Sequence, residues 1–509
     1  MRTIQKLVCL MLSLLLCLAC VPSLAEAAPM VVNIARGGDT TTMDPIFAGD
    51  NVDIWLMNLV FEGLVRSTAD GKSIEPCLAT SWDISDDGKT YTFHLREGVC
   101  FSDGTPVKAE DWEYSIERSL AEGAWNSLIA SISDVQVVDD ATVAIVLSNP
   151  SGSLLANLAA FFCAVVPKDY YSSTDADTLA SKPIGTGPFY LESWVPQESM
   201  CFKKNPNYWD AGHPMADEIN FLCVPDDNTR VMQLQAGQVD VVTDISVQME
   251  SMLQGAAGIS IKDYESTHVE YISMNFTSEK LNDTRVRQAL TYATNRDDLI
   301  KAVYGGMGTR CTSFVWPAAP HYNPNLPTYE YDLEKAKALL AEAGASDLEL
   351  SLIITAGSPT DLMEATILKS QWAEAGVTLN IEQLDSSARR EKRNDLTFEV
   401  LLNYFTSDIC DTSENMEMFC INENYDCWHL GWNGPRQEEA ERLVKEAGAT
   451  NDESVRMKNY CDAQQIFAEE ALIIPVCCVP STVAMRDNVE GFVQTPLGNY
   501  MFNELRIAQ

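Results

Sequence analysis

The chain has 509 residues, 46% hydrophobic and 21% charged, an ordinary globular balance. At about 100–200 residues per domain, that length allows two to four domains around a large buried core. Its 35 basic and 73 acidic residues give a net charge of −38, which argues against nucleic acid or anionic lipid as partners of the mature protein.

Arg2 and Lys6 open the chain as a short positive region, and an apolar run from Leu7 to Val21 follows. Ala25-Glu26-Ala27 then precedes Ala28. This is the pattern of a cleaved secretory signal over residues 1–27. As a membrane span the run falls short of the ~20 residues required. Cys20 after Leu18-Ala19 faintly resembles a lipoprotein site, but Cys17 stands where such a site prefers Leu. Cleavage after Ala27 is therefore preferred over a lipid anchor at Cys20. The mature protein is expected as a monomer beyond the cytoplasmic membrane, in the periplasm or on the outer cell surface.

Further along, Val31 to Ala35, Tyr91 to Leu95, Val143 to Leu147 and Met200 to Lys203 read as strands. Asp332 is placed to cap a helix bearing Leu333, Ala336, Leu339, Leu340 and Ala343 on one face, with Gly344 as its stop. A strand from Leu348 to Ile354 comes next, then a helix from about Thr360 to Ala375 stopped by Gly376, then a strand from Val377 to Gln383. That alternation predicts a mixed α/β lobe. Ala341-Glu342-Ala343-Gly344 and Ala373-Glu374-Ala375-Gly376 are similar because both end helices.

Twelve of the 15 cysteines follow the signal region. They form no C-x-x-C pair, and the five histidines are scattered, so no metal site is predicted. Export permits disulfides, and Cys201 and Cys223 lie in neighbouring β-like runs where a cross-strand pair is conceivable. Buried free thiols are the competing reading.

Catalytic motifs are missing. The sequence has no H-E-x-x-H, G-x-S-x-G, G-x-x-x-x-G-K-[ST] or G-x-G-x-x-G. Gly185-Thr186-Gly187 runs into Pro188, which suits a tight structural turn rather than a phosphate cradle. A binding protein, not an enzyme, is expected, with no cofactor.

An ordered set of segments spanning residues 31–505 carries a resemblance. Gly37 to Pro45 opens it, Phe61-Glu62-Gly63-Leu64 follows, and Leu78-Ala79-Thr80-Ser81-Trp82 leads through Asp86-Asp87-Gly88 to Phe101-Ser102-Asp103-Gly104-Thr105-Pro106. Gly185 to Phe189, Asn205 to Trp209, Gly237 to Asp240, Asn282 to Leu290 and Asn295-Arg296-Asp297 complete it. The set resembles the extracellular solute-binding family 5, the peptide- and nickel-binding components of ABC importers. Read physically, Trp82, Tyr91 and Phe93 are core residues and Asp103 to Pro106 is turn chemistry.

The resemblance implies an α/β, periplasmic-binding-protein-like clamshell (type II, cluster C) with two lobes and an inserted subdomain. It places the first lobe at 30–61, 169–270 and 477–509, the inserted subdomain at 62–168 and the second lobe at 271–476. It implies a receptor that captures a short peptide and hands it to the permease of an ABC importer. Asp408 falls on the aspartate that pairs with the ligand's α-ammonium group in peptide-binding relatives, within Tyr404-Phe405-Thr406-Ser407-Asp408. An acceptor-only carboxylate in a closing cleft suits that charge-assisted bond. Gly49, Asp50 and Trp125 align with cleft-lining positions, and Trp316, Trp428 and Trp432 are further aromatic candidates.

Departures from the family pattern concern the ligand's other end. The loop after the strand near Thr355 is Ala356-Gly357-Ser358-Pro359, without the Arg of dipeptide-specific relatives. Leu402 and Asn403 stand where oligopeptide-type relatives carry a basic residue, and Cys477-Cys478 replaces a usual Tyr pair. Arg310, Arg389 and Arg390 are the candidates to replace the missing cation. The alternatives are a non-peptide solute on the same fold (an oligosaccharide, a nickel chelate or another small cation), a secreted hydrolase, or a surface sensor.

Overall fold

The computed structural model describes residues 28–422 and 426–508; the predicted signal and Cys20 lie outside them. Three main sheets organise the chain. A seven-stranded sheet runs, in spatial order, Ile259–Tyr264, Ser481–Arg486, Val241–Val242, Val31–Arg36, Glu218–Cys223, Ser199–Lys204 and Phe189–Val195. A six-stranded sheet runs Thr309–Arg310, Ile473–Cys478, Val269–Met274, Val400–Phe405, Glu349–Thr355 and Thr378–Leu384. The smaller sheet, Ala79–Ile84, Thr90–Leu95, Thr142–Leu147 and Ile132–Asp139, is antiparallel throughout.

The chain passes between the two large sheets through 265–268 and again through 479–480. Val269, Glu270, Cys477 and Cys478, expected with the first lobe, pair within the six-stranded sheet, because both strands run unbroken past that boundary.

Local chemistry sets the elements as read. Asp332 accepts from the Lys335 N–H and starts the helix Leu333–Glu342; Gly344, at φ +70°, lets the chain turn away. The helix Pro359–Glu374 buries Ala365, Leu368 and Trp372, and Gly376 stops it at φ +91°. Asp283 caps Thr284–Tyr292 through the Arg285 N–H. Gly185 is a close approach, since a Cβ there would lie 2.1 Å from the Val60 carbonyl oxygen. That confirms a packed turn.

Trp82 packs against the first core and Phe93 is fully buried within it. Separate apolar clusters lie on either side of the six-stranded sheet, one around Trp372 and one around Phe419, Trp432 and Tyr460.

The cysteines behave as buried or half-buried thiols. Cys201 stands opposite Asn220, and Cys223 lies beyond it with its N–H on the Glu198 carbonyl, so the register separates the two sulfurs. None of the twelve cysteines among the described residues forms a disulfide.

Candidate functional site

Glu349–Thr355 and Thr378–Leu384 are parallel neighbours, and Val400–Phe405 joins the first of them in parallel. Their carboxyl ends therefore share one side of the sheet, where open α/β sheets place ligands. The segments that leave those ends, the helix Ser386–Asn394 and the loop 406–412, face the start of the helix Asn51–Val60 across an open cavity whose empty space, adjoining solvent included, is about 1210 Å³. From the first half of the chain, Gly49, Asp50 and Trp125 line it. From the second, Tyr404, Phe405, Thr406 and Asp408 do. The seven residues singled out in the sequence thus meet in one place.

Asp408 is 7% exposed and its Oδ1 has no hydrogen-bond partner. Its backbone N–H donates to Glu414 Oε2 at 2.8 Å, and the Ile409 N–H to the same oxygen at 3.3 Å. Glu414 is fully buried, also lines the cavity, and has an unpartnered Oε1. Two carboxyl groups removed from water beside each other cannot both ionise freely. Burial pushes Asp408 up to about 7, and burial together with Asp408 holds Glu414 well above the usual carboxylate range.

The loop around Asp408 is anchored on three sides. The Ser407 N–H donates to Thr267 Oγ1 at 2.9 Å, tying the loop to the crossing segment 265–268. Ser407 Oγ donates to Asn415 Oδ1 at 2.8 Å. Arg456 Nη2 reaches Asp411 Oδ1 and Oδ2 at 2.7 and 2.8 Å, and its Nη1 reaches the Gly152 carbonyl at 3.4 Å. A loop held this way keeps its carboxylate in one position.

Across the cavity, Thr406 Oγ1 donates to Asn51 Oδ1 at 3.3 Å, a direct contact between the two sides. Trp125 Nε1 donates to the Ala48 carbonyl at 2.8 Å while its ring stacks on Phe162, which fixes the loop carrying Gly49 and Asp50. Phe405 is buried and meets Trp428 edge-on at 5.6 Å. Tyr404 is 49% exposed and lies against His268, with ring centroids 4.5 Å apart. Of the other tryptophan candidates, Trp428 lines the cavity, whereas Trp316 and Trp432 are core residues 2% and 1% exposed.

A cationic wall lies in the same cavity. Arg389, Arg390 and Arg393 all line it, and Arg389 Nη2 donates to the Leu402 carbonyl. A guanidinium therefore reaches, from another element, the stretch whose own residues Leu402 and Asn403 lack a cation. Arg310 does not contribute: it pairs with Glu330 at 2.8 Å and Asp297 at 3.7 Å beside the strand Ile473–Cys478. Sequence reasoning missed Glu414 and Arg393. The i, i+4 spacing of Arg389 and Arg393 was the available signal for one face of a helix. No group of three or more metal-ligating side chains occurs among the described residues.

With this geometry in hand, the comparisons with known proteins are consistent. A sequence model of the family described as bacterial extracellular solute-binding proteins, family 5 Middle, matches residues 73–427. The dipeptide-binding protein of Escherichia coli K12 is 30% identical over 483 residues, covering 88% of this chain and 89% of that one. Heme-binding protein A of Haemophilus influenzae is 31% identical over 471 residues, covering 86% and 85%. The structure of the periplasmic binding protein DppA from Helicobacter pylori, in complex with the peptide STSA, superposes with a TM-score of 0.81 at 27% identity. It covers 96% of this chain and 100% of its own.

Proposed function

We propose a peptide receptor from one premise: the chain belongs to the bacterial extracellular solute-binding proteins of family 5. It has their fold, and it is a solute-binding component of an ABC importer rather than an enzyme. No helix among the described residues is long and apolar enough to cross a membrane. The relatives' names differ in ligand, dipeptide for one and heme for another, so the ligand is inferred from this chain's own site.

The observation that carries the peptide reading is Asp408, buried in the cavity with one carboxylate oxygen unpartnered. A desolvated acceptor of that kind is costly unless a cationic donor completes it, and an α-ammonium group supplies three N–H donors and a charge. Tyr404, Phe405 and Thr406 form the adjoining wall, with Gly49, Asp50 and Trp125 facing them. The proposed division has a first lobe, a subdomain over 62–168 and a second lobe, and sheet membership supports it with the lobe boundary moved from 270/271 to 268/269 and from 476/477 to 478/479. Ligand bridging the two sides favours the closed form only by the difference in its affinity for closed and open states.

Titration calorimetry with short peptides tests the reading. The wild type is expected to bind and Asp408→Ala to lose affinity by about tenfold or more. Equal affinity in the two would remove Asp408 from the site.

A further inference from the structure

We propose that the arginines of the helix Ser386–Asn394 select ligands carrying two or more carboxylate groups. The proposal rests on the peptide reading above, since the ligand's other end is placed at Asp408.

This nine-residue helix, SSARREKRN, buries none of its residues, yet Ser386 and three arginines on it line the ligand cavity. Lys392 turns away and pairs with Glu382 at 3.0 Å, so the helix has one satisfied cation and three that face inward. Among the described residues, none of the three arginines has a carboxylate partner. Arg389 Nη2 bonds the Leu402 carbonyl and Arg393 bonds the amide oxygen of Asn394 at 3.3 Å. In a chain with 73 acidic residues against 35 basic ones, three unneutralised arginines on one helix face are a local reversal of charge.

Two of the arginines lose something by standing there. Arg389 Nε is buried with no acceptor. The Arg393 guanidinium lies 5.7 Å from the centre of the Trp428 ring, and burial plus the neighbouring charges of Arg389 and Arg390 lower its basicity. Desolvation and mutual repulsion both favour an anion in the space between them. A guanidinium grips a planar carboxylate through two parallel N–H bonds, and three of them exceed what one C-terminal carboxylate satisfies. The cavity thus has an acidic pole at Asp408 and Glu414 and a basic pole of higher charge. A short acidic peptide, with one ammonium group and several carboxylates, matches both.

The test compares Ala-Ala-Ala with Ala-Glu-Glu by calorimetry on the full mature chain, with citrate in a parallel thermal-shift assay. Ala-Glu-Glu is expected to bind about tenfold or more tightly than Ala-Ala-Ala. In Arg389→Gln/Arg393→Gln the preference is expected to fall to near parity. Arg390→Gln, at an exposed position with no packing to lose, is expected to reduce it in part. Equal affinity for the two peptides in the wild type would overturn the inference while leaving the peptide reading intact. If no peptide binds but citrate stabilises the wild type and not the double variant, the basic pole stands and the peptide reading falls. A preference that survives all three substitutions would overturn it.

Discussion

The backbone N–H of Asp408 donates to Glu414 Oε2 at 2.8 Å, so the carboxylate proposed to hold the ligand is positioned by a second buried carboxylate. The arrangement stores unfavourable electrostatics. Two acids are kept from water, each with one oxygen unpartnered, in a cavity that three arginines also line. Ligand cations and anions each relieve one end.

Glu414→Gln keeps an oxygen to accept the Asp408 N–H but removes the carboxyl whose side-chain hydrogen bond holds Asp408 down against burial. Asp408 then ionises at higher pH, and the acid limb of peptide binding is expected to move up. Glu414→Ala instead orphans the N–H groups of Asp408 and Ile409. It is expected to cost about 1–3 kcal/mol of stability, read as a lowered melting temperature.

The pH dependence of binding follows from the raised Asp408. An ammonium ligand needs the ionised carboxylate, so affinity is expected to rise with pH through about 7. It then falls as the peptide's α-amino group, with a pKa of about 7.7–8.0, loses its proton. Calorimetry from pH 5.5 to 9 should give a maximum between those limits, and Asp408→Asn should lose the acid limb.

Stability without ligand runs the other way. A carboxyl whose pKa is raised on folding binds more protons folded than unfolded, so its contribution falls as pH rises from about 4 to 7. Above that range the penalty is complete, at about 1.4 kcal/mol for every pH unit separating the folded and unfolded pKa. Asp408→Asn is therefore expected to melt higher than the ligand-free wild type at pH 8 and level with it at pH 4. Differential scanning calorimetry at the two pH values checks the sign.

Arg456 bridges the Asp411 carboxylate and the Gly152 carbonyl, and so ties the loop around Asp408 to the turn before the helix Leu154–Leu158. Arg456→Met leaves Asp411 buried without its cation. A loss of about 3–5 kcal/mol is expected in denaturant unfolding, together with weaker peptide binding.

Thr267 lies in one of the two segments crossing between the sheets and accepts the Ser407 N–H one residue from Asp408. Thr267→Val removes that acceptor while keeping the shape. Affinity is expected to fall about threefold to tenfold with unchanged preference among peptides, since the bond links the loop to the crossing rather than to ligand.

Much of the framework is legible in the sequence because local chemistry decides it. The caps at Asp283 and Asp332 and the stops at Gly344 and Gly376 depend on residues a few positions apart. The placement of Asp408 comes from the family resemblance, because loops after parallel strands carry ligand groups whatever the surrounding sequence. The basic wall is harder to see. Its helix has no buried face and reads as a solvated charge run, and only the fold brings it against Leu402 and Trp428. Glu414 escapes notice because composition leads one to expect an acidic residue outside, whereas this one is fully buried. Cys201 and Cys223 look like a conceivable pair from loop spacing, but register is set by pairing along the whole strand.

The most direct test of ammonium capture by Asp408 is a calorimetric comparison of one peptide with its N-acetylated form, in the wild type and in Asp408→Asn. Acetylation is predicted to weaken wild-type binding by about tenfold to a hundredfold and to have little effect in the variant. Equal affinity of the wild type for the free and acetylated peptides would contradict ammonium capture.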